Sequence, residues 1–135
     1  MFDLYATPSD GGEIINLTKT DEIREESPRW SPDVKKLAFW VMLAPNGTQD
    51  FVLTILDMNT KTATNLCITS DPNGYGGEFH EDLPAPIWSP DGEQVVVESR
   101  YSEDHNRVVL VDLSNKIAVE IGQDVRPVGW MVTSP

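Results

Sequence analysis

Between Asp71 and Asp82 the chain carries oxygen-bearing side chains at intervals: Asp71, Asn73 and Tyr75, then Gly76, then Glu81 and Asp82. Carboxylate and amide oxygens at alternate positions around a glycine bend are the ligand chemistry of calcium. The match is loose, because Tyr75 stands where a better third ligand belongs, Asp82 replaces the closing glutamate, and no helix-forming sequence flanks the loop. A solvated loop is the simpler expectation, and Asp71, Asn73, His80 and Asp82 are the ligands to test if an ion binds. His80 and His105, with Glu81, Asp82, Glu103 and Asp104 beside them, are the other candidates for metal or acid–base chemistry, although exposed histidines are common on any surface. Covalent catalysis has little to work with, since no G-x-S-x-G elbow occurs. The single cysteine, Cys67, excludes an internal disulfide and cannot alone hold a structural zinc. It lies in the apolar run 65–68, where a buried, inert thiol is expected.

The elements that must position these groups repeat. PRWSPDVKKLAF from Pro28 matches PIWSPDGEQVVV from Pro86, and PVGW from Pro127 begins a third copy. Trp30, Trp88 and Trp130 are spaced by 58 and then 42 residues. The second spacing is that of a four-stranded propeller blade, roughly 40 to 45 residues. Most of the excess in the first falls in DPNGYGGEFHEDL, which reads as a long inserted loop. The runs LAFWVML, FVLTILDM, TATNLCI, QVVVESRY, RVVLVDL and IAVEIG are short, β-branched or aromatic, and bounded by turn residues. No segment keeps a 3.6-residue apolar period with caps, so the reading is all-β.

The W-S-P-D-G box, a β run, a second run ending in Leu56-Asp57 or Val111-Asp112, and a turn with Thr or Ser together resemble the repeat of TolB. They are also similar to the related propellers of prolyl oligopeptidase-family peptidases and oligogalacturonate lyases, over nearly the whole chain. The resemblance implies a partial β-propeller of antiparallel four-stranded blades and a periplasmic or extracytoplasmic location. It leaves function open, because these families share blades and differ in activity. The leading expectation is a non-enzymatic module that binds protein or peptide. The alternatives are the substrate-gating propeller portion of a peptidase, and a metal-assisted lyase in which the histidine cluster would hold the metal. The first box departs from the family in carrying Val34 where Gly is usual, so its turn is expected to differ locally. Trp30 and Trp88 are expected to be buried between blades.

With strands labelled a to d from the channel outward, residues 1–26 read as a half blade supplying c and d, 27–70 as a full blade, 71–85 as the insertion, 86–122 as a second full blade, and 123–135 as strand a of the next. The total is eleven strands. At 135 residues the chain is short for a closed ring. Pairing of copies through their incomplete ends, into a six-bladed dimeric ring, is the expected form of self-association. The d-to-a and b-to-c loops of a propeller share one face, and here they carry a net formal charge of −9 while the opposite turns sum to zero. Glu25, Glu26, Glu78, Glu81, Asp82, Asp104 and Asp124 on that face are the expected binding residues, and the field suits a basic protein or peptide. An overall formal charge of −12 opposes nucleic acid and anionic membrane surfaces, and no apolar run is long enough to span a bilayer.

Overall fold

The computed structural model describes residues 3–20, 23–42, 50–71, 83–102 and 104–133. Among them are ten strands: β1 (Tyr5–Ala6), β2 (Ile15–Asn16), β3 (Glu25–Trp30), β4 (Lys36–Met42), β5 (Phe51–Asp57), β6 (Thr62–Ser70), β7 (Ile87–Trp88), β8 (Gln94–Ser102), β9 (His105–Asp112) and β10 (Ile117–Gln123). They form a two-stranded pair, β1 with β2, and two four-stranded antiparallel meanders, β3-β4-β5-β6 and β7-β8-β9-β10. These are the two full blades expected from the boxes, preceded by an outer pair.

The middle strands β4, β5, β8 and β9 are apolar on both faces because each blade is stacked between neighbours. Ala38, Trp40, Leu53 and Ile55 of the first blade pack against Trp88, Val95, Val97, Val109 and Val111 of the second. The other side of the first blade presents Leu37, Phe39 and Leu56 to Leu4, with Leu17 packed at the edge. The outermost strands β6 and β10 face solvent and are correspondingly rich in exposed positions.

The two boxes fold identically. Ser31 Oγ donates to Asp33 Oδ1 at 2.7 Å and accepts from Lys36 N at 2.9 Å, while Lys35 N donates to Asp33 Oδ1 at 3.1 Å. In the second box Ser89 Oγ donates to Asp91 Oδ1 at 2.5 Å and accepts from Gln94 N at 2.9 Å, and Glu93 N donates to Asp91 Oδ1 at 3.0 Å. The serine hydroxyl and aspartate carboxylate thus satisfy the amides that a reversing chain leaves unpaired. The local difference expected at Val34 does not occur: Val34 adopts φ 59° where Gly92 has φ 73°. The turn geometry is kept and the valine is held in a region that suits glycine. Asp57 and Asp112 close the outer turns in the same way, each accepting from backbone amides two or three residues on.

Three expectations are corrected. Trp88 is buried at 9% exposure, but Trp30 is 38% exposed, because no described strand a of an earlier blade covers it. Residues 126–132, expected as strand a of a further blade, form no strand, since among the described residues nothing supplies the partner that would pair with them. Cys67 is exposed rather than buried. The β5–β6 register slips between Val52 and Thr54, where residues 66–68 stand opposite residue 53, and within this bulge Cys67 adopts φ 57°, which turns its side chain outward.

Candidate functional site

Each joint between neighbouring units is made by side chains reaching to a backbone carbonyl or amide. Trp88 Nε1 donates to the Arg29 carbonyl at 2.9 Å, Trp40 Nε1 to the Pro84 carbonyl at 3.0 Å, and Ser99 Oγ to the Thr69 carbonyl at 2.5 Å. Glu25 and Glu26, expected on the acidic surface, belong to these joints instead. Both are buried in β3. Glu25 Oε2 accepts from Thr18 Oγ1 at 2.5 Å and Leu4 N at 3.2 Å, and its other oxygen accepts from Thr20 Oγ1 at 3.0 Å. Glu26 pairs with Arg24 and accepts from Leu83 N at 3.5 Å. A carboxylate engaged by several donors inside the fold has little left to offer a partner.

A pocket of about 390 Å³ opens where the β8–β9 corner meets the chain leaving β10. Glu98 and Arg100 alternate along β8 and so share one side of the sheet. They form the floor, with Glu98 3% exposed. Glu98 Oε1 accepts from Arg100 Nε at 2.9 Å and from Asn106 Nδ2 at 2.8 Å, and Glu98 Oε2 lies 3.9 Å from Arg126 Nε. Burial, with a smaller contribution from Arg126, lowers the Arg100 guanidinium to about 10, which leaves it charged at neutral pH. The rim carries Asp104, exposed, and Asp124, which lies 3.2 Å from His105 Nδ1 and accepts from Asn106 N at 3.2 Å. Tyr101 stacks on the His105 ring with centroids 6.0 Å apart and planes inclined by 14°.

The repeat shows what is unusual here. The 58-residue offset between boxes sets Glu98 at the position of Trp40, and the 42-residue offset sets Arg126 at the position of Pro84. The position that a buried indole fills in the first blade is therefore taken by a buried carboxylate in the second, with Arg126 3.9 Å away. Glu98 is occupied by its donors and Ser99 by the Thr69 carbonyl, so neither is set up as a base or nucleophile. The pocket presents a half-exposed carboxylate, Asp124, at its rim and the largely exposed guanidinium of Arg126.

Of the expected binding residues, Asp104 and Asp124 are brought together at this pocket. Glu78, Glu81 and Asp82 lie outside the described residues, as do Asn73 and His80 of the expected metal set. Asp71 is partly buried, and its amide donates to the Arg100 carbonyl at 2.8 Å. Among the described residues no group of three or more His, Cys, Asp or Glu side chains is placed to hold a metal ion. Glu98, Arg100, Tyr101 and Arg126 were not anticipated. Their signal was present in QVVVESRY, where Glu98 and Arg100 interrupt a core strand at positions two apart.

Stacked antiparallel four-stranded blades, joined in sequence order around the boxes, define a partial β-propeller, similar in fold to solved TolB structures. Similar solved structures include TolB from Acinetobacter baumannii, 19% identical with a TM-score of 0.60, where the match covers 89% of this chain and 26% of that one. Oligogalacturonate lyase from Vibrio parahaemolyticus is 15% identical with a TM-score of 0.57, covering 86% of this chain and 28% of the lyase. The β-propeller domain of the Trilobed protease from Pyrococcus furiosus is 14% identical with a TM-score of 0.57, covering 80% and 30%. The chain thus spans between about a quarter and a third of the length of these structures. No protein-family model and no curated protein matches it.

Proposed function

We propose that the chain is a non-enzymatic propeller module that binds a basic protein or peptide on the loop face around the Glu98–Arg100 pocket. The observation that carries this reading is the contrast between equivalent positions: the apolar Trp40 in the first blade, and in the second the Glu98 carboxylate with Arg100 and Arg126 beside it. A lysine or arginine of the partner meets Asp104 and Asp124 at the rim, Tyr101 offers an exposed ring beside them, and Arg126 takes a peptide carbonyl. Titration of a short lysine-rich peptide by calorimetry or fluorescence anisotropy tests it. Affinity should fall several-fold between low and moderate salt and again in the Asp104→Asn/Asp124→Asn double variant, because exposed charge pairs are screened over about 10 Å at 0.1 M salt. Equal affinity under all three conditions overturns the reading.

A further inference from the structure

Twisted blades that stack around an axis lie closest at their inner strands and diverge toward the outer ones, so the wedge between two blades stays open unless large side chains fill it. Here the outer side chains are small. Thr64 pairs with Ile55, and with Thr62 it lies on the side of β6 that faces the second blade. Ala118 pairs with Val111, on the side of β10 that faces the first. The result is a groove of about 620 Å³ between the blades, within the ordinary size range of small-molecule sites. Both of its walls are complete four-stranded sheets.

Ile55, Ile68 and Val111 form the buried floor of the groove, and Leu66 and Leu113 its partly buried sides. The charged groups gather at the end where the outer turns lie, with Lys36 and Asp57 from the first blade and Asp112 and Lys116 from the second. Both carboxylates are directed into their own turns. Asp57 accepts from Asn59 N at 2.8 Å and Thr60 N at 3.1 Å, and Asp112 accepts from Asn115 N and Nδ2 at 2.9 Å each. Neither Lys36 nor Lys116 has a carboxylate within ion-pair distance among the described residues, and Lys36 acts on Asp57 only at longer range. An apolar trough whose uncommitted charges are two ammonium groups at one end, one from each wall, complements an apolar body with an anionic head. We propose that this groove binds a small amphiphilic carboxylate of the fatty-acid kind, its chain over Ile55, Ile68 and Val111 and its head at the Lys36 and Lys116 end. The site shares no residue with the Glu98–Arg100 pocket, so the two readings stand or fall separately.

Cys67 lines the groove, is exposed and is the only cysteine in the sequence, so its alkylation by iodoacetamide reports occupancy. Decanoate, kept below its micellar concentration, should slow that alkylation severalfold at saturation. Decanol, of equal length but uncharged, should need a several times higher concentration for the same effect. Lys36→Gln and Lys116→Gln should each weaken decanoate roughly two- to fivefold and leave decanol unchanged, as fits one exposed charge contact apiece. Ala118→Phe, at an exposed position of β10, should fill the groove and abolish binding of both compounds, with the circular dichroism spectrum and the lysine-rich peptide titration unchanged. That variant is read by calorimetry, which does not depend on access to Cys67. An alkylation rate indifferent to decanoate overturns the proposal, as does equal protection by decanol, or binding that survives Ala118→Phe. Protection by a short peptide alternating leucine and glutamate, without protection by decanoate, assigns the groove to a partner's strand and equally overturns it.

Discussion

Exchanging residue types between Val34 and Gly92 isolates backbone strain in the box turn. Both residues lie in the left-handed region, at φ 59° and 73°, in turns that share the serine–aspartate and aspartate–amide hydrogen bonds. Holding an L-residue there costs roughly 1–2 kcal/mol, and valine, with its β-branch, belongs at the upper end. Glycine removes that cost but loses more chain entropy on folding, roughly 0.5–1 kcal/mol. Val34→Gly should therefore stabilise the protein by about 1–1.5 kcal/mol. A Cβ at Gly92 would meet the Pro32 Cδ at 3.7 Å and the Ser31 Cβ at 3.9 Å, which is ordinary contact. Gly92→Val should then destabilise through φ alone, by about 0.5–1.5 kcal/mol. Urea unfolding should show opposite shifts in midpoint at constant slope, with melting temperatures moving by about 2–6 °C. If Val34→Gly is neutral or harmful while Gly92→Val is harmless, backbone strain does not govern these turns.

Trp88→Ala should cost about 3–5 kcal/mol, and Trp30→Ala less than half of that in the single chain, because only Trp88 is fully packed. Thermal unfolding of the two variants side by side checks the ranking. Glu25→Ala removes the acceptor shared by Leu4, Thr18 and Thr20, so amides in residues 4–18 should exchange faster while the two blades stay protected, as read by hydrogen exchange. Acid should destabilise the fold in a defined direction. Asp33 and Asp91 are held below the usual 3.8, first by the Ser31 and Ser89 hydroxyls, and Asp57 and Asp112 first by backbone amides of Thr60 and Asn115. Their folded pKa values are lowered, so their contribution is present above 3.8 and is lost as pH falls through the depressed values. Urea midpoints measured from pH 6 downward should fall once pH drops below about 4, and a flat profile there would exclude the turn carboxylates as the cause.

The blades were legible because the box is a local device: tryptophan, serine, proline and aspartate fold the turn with their own neighbours, wherever they sit. What escaped the sequence depends on groups far along the chain. Glu25 and Glu26 look like a solvated acidic run until Leu4, Thr18, Thr20 and Leu83 are seen to approach from 21, 7, 5 and 57 residues away. Cys67 reads as core from its neighbours, yet it sits in a β-bulge against β5 with φ 57°, which turns it outward. Residues 126–132 have the composition of a strand, but a strand exists only with a partner. Of the expected binding set, Asp104 and Asp124 reach one pocket, whereas its floor was hidden in β8, where an apolar pattern draws the eye away from two charges.

The stepwise indole contact also bears on how such molecules are assembled over evolutionary time. Trp88 reaches back to the Arg29 carbonyl at 2.9 Å and Trp130 to the Ile87 carbonyl at 3.3 Å, each to the residue before the previous box tryptophan. Duplicating the gene segment for one blade would insert a unit whose forward and backward attachments are both already encoded. Blade number is then set by ring geometry, while the contacts themselves remain indifferent to it.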